Sequence, residues 1–136
     1  MTQNILKLLV KAIEERHCIA IRYRGQRAIR IIEPHAVYTS EHGEVTVDGY
    51  QTRGYSESGR MPPFWRPFRL RKITAISVLK EPFFPRVTEG FSTDKLKYQS
   101  GLVAIVENPA HDYMYSPEAL KELGPFLPGK APGSHL

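Results

Sequence analysis

The sequence predicts a mainly β fold: a small barrel, closed or nearly closed, of four or five short strands led by one α-helix and followed by a C-terminal extension. Three observations predict it. Apolar residues recur at helical spacing over about the first sixteen residues. From Ile19 onward the period drops to two, in short runs separated by Gly- and Pro-bearing turns. The runs follow one another without room for crossover helices, which excludes βαβ units and a parallel sheet.

Each element has its own signature. Ile5, Leu8, Leu9, Ala12 and Ile13 share one helical stripe, while Gln3, Lys7, Lys11, Glu14 and Glu15 take the other faces, so the chain opens with an amphipathic helix. Thr2 or Asn4 supplies its cap. Ile19, Ile21 and Tyr23 then alternate with Ala20, Arg22 and Arg24 in a first strand, and Gly25 and Gln26 turn the chain. A second strand runs from Arg27 to Glu33. Pro34, which has no N–H to give a ladder, interrupts it, and strand character resumes at Ala36–Tyr38.

Glu41, His42 and Gly43 form the next turn. In a third strand, Glu44 to Gln51, Val45 and Val47 face one way and Thr46, Asp48 and Tyr50 the other, with Gly49 marking a bulge or bend. Residues 52–63 read as an exposed loop. Phe64 to Leu79 is one long β segment or two strands joined at a bend: Phe68 and Leu70 share a parity, Ile73 and Ala75 take the other, and Ile76 and Val78 restore the first. That slip is what a strongly bent strand requires.

Beyond Pro82 come a connector to Gly90, an edge strand at Leu102–Val106, and a short helix at Ser116–Leu123. Ser116 caps that helix, Pro117 opens it and Gly124 follows its end. The Pro- and Gly-bearing residues 125–136 are expected to be mobile. There is no internal repeat. Organisation therefore divides into a barrel with its helix, residues 1–83, and an extension, residues 84–136.

Composition narrows the partners. Nineteen Lys and Arg against 14 Asp and Glu give a net charge of +5 over 136 residues, with a pI near 9.4, which favours polyanions. From Ser58 to Lys80 there are six basic residues and no acid, whereas Thr88 to Glu122 carries more acids than bases. The single cysteine, Cys18, lies among Ile19, Ala20 and Ile21 and reads as a buried small hydrophobe in a reducing compartment. No apolar run approaches the roughly 20 residues that span a bilayer. A cytoplasmic location without membrane contact is the expectation.

A set of features occurs in order: Ile19-x-Ile21-x-Tyr23, then Arg30-x-x-x-Pro34, then a strand reaching Gly49-Tyr50, then Arg66-Pro67-Phe68-Arg69-Leu70-Arg71-Lys72-Ile73. This order resembles the WYL-domain family from the first helix to about Phe83. The resemblance implies an Sm-like (Src-homology-3-like) barrel, of a kind commonly joined to a helix-turn-helix in bacterial transcription regulators. It also implies a basic face that binds nucleic acid or a nucleotide-like ligand. Val45, Thr46 and Val47 stand where the family's Trp-Tyr-Leu triplet falls. Only one helix precedes the strands, so no recognition helix is expected to read DNA sequence, and a stand-alone sensor or accessory subunit is expected.

Arg66, Arg69 and Arg71 are the leading binding residues, because a guanidinium offers a planar fork that matches phosphate oxygens and stacks on bases. Arg69 and Arg71 would share a strand face. Arg30 joins them from a neighbouring strand or else pairs with Glu33. Tyr50 and Trp65 are the candidate stacking platforms, whereas Tyr23 and Phe68 read as core. His35, His42 and His111-Asp112 have no third partner at zinc-ligand spacing, and no phosphate loop, nucleophile elbow or His-Glu-x-x-His stretch occurs. Neither a metal, a cofactor nor a catalytic residue is predicted.

The functional expectation is a regulatory module, not an enzyme, that binds a nucleotide, oligonucleotide or single-stranded nucleic acid in transcriptional or defence regulation. It would work with a separate DNA-binding or effector protein. The alternative is an assembly module whose edge strands pair with another chain or with a second copy.

Overall fold

The computed structural model describes residues 2–106 and residue 121. Apart from Lys121, the expected helix at Ser116–Leu123, the tail and His111-Asp112 lie outside the described residues.

The opening helix, α1, is Thr2–Glu15. It places Leu9, Ala12 and Ile13 in the core, all at most 2% exposed, which is the apolar stripe the spacing calls for. Six strands follow: β1 His17–Tyr23, β2 Arg30–Thr39, β3 Val45–Gly54, β4 Phe64–Arg69, β5 Ile73–Pro82 and β6 Leu102–Ile105. They form one antiparallel sheet in the order β4-β3-β2-β1-β5, with β6 also on β2.

The long strand β2 organises the sheet. It pairs with β3 from Arg30 to Thr39, with β1 through Arg30–Ile32, and with β6 through Ala36–Tyr38. Pro34 does not break β2. The register against β3 shifts between Pro34 and Ala36, and this bulge absorbs the residue that has no N–H to donate.

The expected barrel does not close. β4 and β5, the two ends of the path, share no ladder among the described residues. A single turn of 3-10 helix, Leu70–Lys72, carries the chain between them, so β5 starts beside β1 instead of continuing next to β4. That turn is also the source of the parity slip between Leu70 and Ile73.

Strand alternation gives β2 two apolar faces. Ile32 and Val37 join α1, Ile19, Ile21, Tyr23, Val47, Phe68, Ile73, Phe83 and Val106 in the main core. Ala36 and Tyr38 face the other way, against Phe91, Tyr98, Leu102 and Ile105, with Trp65 packed alongside. The second face is covered by the connector beyond Phe83.

His35 pins that connector. The neutral ring is fully buried, its Nδ1–H donates to the Glu33 carbonyl at 2.9 Å, and its Nε2 accepts the Arg86 N–H at 3.0 Å. Arg86 returns a two-pronged ion pair to the buried Glu33 carboxylate at 2.7 and 2.9 Å. Burial lowers the His35 pKa to about 4. Cys18 is buried as expected, with its thiol pKa pushed up to about 12, first by burial and then by Glu81.

Candidate anion-binding cleft

The strand β1 ends in a turn closed by the Gln26 N–H donating to the Tyr23 carbonyl at 3.1 Å. Its two central residues, Arg24 (φ 58°) and Gly25 (φ 72°), are both left-handed. This is the backbone of a type I′ turn, which matches strand twist and favours glycine. Arg24 is thereby brought to the mouth of a cleft of about 740 Å³, lined also by Tyr23, Tyr38, Ser40, His42, Glu44, Thr46, Arg66, Pro67 and Arg69.

The arginines differ sharply within this region. Arg66 lines the cleft with its guanidinium carbon 5.6 Å from the Tyr23 ring centre and 5.4 Å from that of Phe68. It forms no ion pair among the described residues, and its buried Nε has no hydrogen-bond partner. A cleft arginine without a carboxylate partner leaves positive charge for an incoming anion.

Arg69 and Arg71 are already engaged. Glu44, at the start of β3, meets Arg69 Nε at 3.0 Å through one carboxylate oxygen and Arg71 Nε through the other. The Arg71 hydrogen bond is the main cause that holds the Glu44 carboxyl below its ordinary pKa. The acid-free basic run of the sequence is thus acid-free only along the chain: the β3–β4 pairing, with Thr46 opposite Arg69, brings Glu44 across.

Arg30 is not a surface residue. It is 0% exposed, ringed by Tyr23, Tyr55 and Phe68 with centroids 5.5–5.6 Å away. Its partner is Glu57, not Glu33. Burial, followed by the neighbouring Arg66 charge, lowers its pKa.

Tyr50 and Trp65 do not stand beside the arginines. They pair across β3 and β4 with ring centres 5.0 Å apart, and Tyr50 is only 7% exposed. The Arg86 guanidinium covers Tyr50 at 4.9 Å, and the Trp65 indole N–H donates to the Glu89 carbonyl at 2.7 Å. The connector occupies the surface on which a base was expected to stack. The rings that do line the cleft are Tyr23 and Tyr38.

A buried carboxylate underlies Tyr38. Asp48, 6% exposed, accepts the Tyr38 hydroxyl at 3.0 Å, the Tyr98 hydroxyl at 2.6 Å and Lys97 at 2.6 Å. The network fixes the Tyr38 ring and raises both phenol pKa values, with burial as the first cause.

No known family model matches the chain, and no curated protein does. Among solved structures the chain is similar to proteasome accessory factor B/C of Arthrobacter aurescens. Identity is 26%, coverage is 65% of this chain and 13% of that one, and the TM-score is 0.49. The chain thus spans 13% of the length of that protein.

Sequence reasoning singles out two of the cleft-lining arginines, Arg66 and Arg69, and not Arg24, Glu44 or the nearby Glu57. Arg24 had a usable signal, since it immediately precedes Gly25 at a strand end. Glu44 and Glu57 had none, because both meet their arginines through long-range pairing. Among the described residues no group of His, Cys, Asp or Glu is arranged to hold a metal, and no helix is long and apolar enough to cross a membrane.

Proposed function

We propose that the chain is a regulatory binding module, without catalytic activity, whose cleft takes an anionic ligand of the nucleotide, oligonucleotide or single-stranded nucleic acid class. One observation carries the reading: Arg66 lines the cleft with no ion-pair partner among the described residues, while the neighbouring Arg69 and Arg71 share the single carboxylate of Glu44. Arg24 and Arg69 add cationic lining, and Tyr23 and Tyr38 supply aromatic faces. Both rings are largely buried, so the phosphate contact, not base stacking, carries the recognition.

The WYL-like order of motifs supports the same ligand class. The role fits a cytoplasmic partner of a DNA-binding or effector protein. Titration of labelled single-stranded DNA and RNA by fluorescence anisotropy, with mononucleotides as competitors, tests the reading. Saturable binding that competitors displace supports it; no binding at low salt overturns it.

Assembly through an edge strand is the second reading, favoured by β5. It ends the sheet path with ten residues, Ile73–Pro82, and an unpaired edge is a template for another strand. A dimer on light scattering that is lost on substituting Pro within β5 would support it.

A further inference from the structure

The loop after β3 places an acid against two of the cations near the cleft. Glu57 stands 3.4 Å from Arg30 Nη2 and 3.8 Å from Arg24 Nη1. Both distances are long for charge-assisted bonds, which usually run to about 2.7–2.9 Å. The remaining Arg30 contacts are no better: Gln51 at 3.4 Å and Gln26 at 3.3 Å, both neutral amide oxygens. Its Nε has no partner. A guanidinium that is 0% exposed is therefore held by one loose carboxylate and two weak acceptors, with the Arg66 charge nearby.

Such an arrangement is costly, because a buried charge is stabilised only by close and complete pairing. The covering is also local. Tyr55 and Glu57 both belong to the loop, Tyr55 is 40% exposed and the Glu57 side chain is 34% exposed. Moving that loop would open the outer side of Arg30 and leave the strand ladders in place, at the cost of the Tyr55 N–H bond to the Ile29 carbonyl (3.3 Å) and the Gln51 amide bond to the Tyr55 carbonyl (2.8 Å).

We infer that Glu57 occupies the place of a ligand's anionic group: Arg24 and Arg30 form a subsite for a terminal phosphate or carboxylate, and the Tyr55–Glu57 segment is a tethered competitor that such a group displaces. The inference rests on the anion-binding reading of the cleft and adds to it a ligand end group and a means of control. A phosphate monoester dianion brings more charge and more acceptor oxygens than one carboxylate, so it meets Arg30 more completely than Glu57 does. Tyr23 then flanks the occupied subsite.

The test compares wild type, Glu57→Gln and Arg66→Gln for binding a labelled single-stranded oligonucleotide made in two forms, 5′-phosphorylated and 5′-hydroxyl. Glu57→Gln keeps the side-chain shape but removes the one carboxylate paired with buried Arg30, so the fold of each variant is checked by circular dichroism and thermal melting before titration. The expected result is that Glu57→Gln binds the phosphorylated form at least about fivefold more tightly than wild type does, the scale of a modest coupling between sites. Its affinity for the hydroxyl form should change little, and Arg66→Gln should weaken both forms.

Equal tightening of both forms overturns the subsite, since general electrostatics would then suffice. Unchanged or weaker binding by Glu57→Gln also overturns it, while Arg66-dependent binding by wild type leaves the cleft reading standing. Binding by Glu57→Gln alone supports a closed subsite in the wild type. No binding by any of the three proteins overturns both readings.

Discussion

Arg30 on β2 and Arg66 on β4, the strands that flank β3, converge on one ring: each guanidinium carbon lies 5.6 Å from the centre of Tyr23. The same tyrosine accepts the Arg69 backbone N–H through its hydroxyl at 2.9 Å. Tyr23 thus braces the buried arginine, the cleft arginine and the end of β4 together. Tyr23→Phe keeps the ring and removes only the acceptor, so it should cost about 1 kcal/mol of stability in urea unfolding and leave anion binding in place.

Glu44 restrains the electrostatics of the cleft rim. Glu44→Gln frees Arg69 and Arg71 and removes one negative charge, so affinity for a single-stranded oligonucleotide should rise about threefold at low salt and converge with wild type as salt screens the added field. Titrations at increasing salt would check this. A weaker complex at low salt would show that Glu44 positions Arg69 for binding and does not compete with the ligand.

The acid sensitivity of the fold should trace to His35. Its pKa falls from the ordinary 6.5 to about 4 because the ring is buried, outweighing the Glu33 carbonyl. Protonation is therefore harder in the folded than in the unfolded chain. The stabilisation from neutral His35 is complete above pH 6.5 and declines as pH falls from 6.5 toward 4, by about 3 kcal/mol in all at 1.36 kcal/mol per unit. Unfolding measured across that range should show this slope in wild type and lose most of it in His35→Gln.

Gly49 is required by space. A Cβ there would sit 2.2 Å from Cγ2 of Ile32, which is fully buried and has a stiff β-branched side chain. Gly49→Ala should destabilise by about 1–3 kcal/mol. In the Ile32→Ala background, where that methyl is gone, the same substitution should cost much less. A double-mutant cycle by denaturant unfolding measures the difference.

The strands were legible because each buries a face, so period two survives in Ile19-Ile21-Tyr23 and in Val45-Val47. The helix was legible for the same reason at its own period. What sequence did not show was geometry set by only a few residues or by distant pairing. Three residues of 3-10 helix at Leu70–Lys72 decide that β5 lies beside β1, and no periodicity reports a corner that short.

The site was half visible. Arg66 and Arg69 stand out as charges on a strand with a buried Phe68 between them. The exposure expected of Tyr50 from its strand-end position is not found, because Arg86 lies over its ring. The burial of Arg30 was not visible, because arginine is rarely fully buried. It is buried here by aromatic rings from β1, β4 and the loop beyond β3, which meet only in the fold.

The central claim is that Arg66 is the anion contact of the cleft, and its most direct test is the salt dependence of oligonucleotide binding in wild type and Arg66→Gln. The account predicts a log–log slope shallower by about 0.7 in the variant, one phosphate contact on a single strand, together with roughly tenfold weaker binding, equivalent to 1.4 kcal/mol. Equal slopes and equal affinities in the two proteins would contradict it, and would make the unpartnered Arg66 a feature of packing against Tyr23 and Phe68 alone.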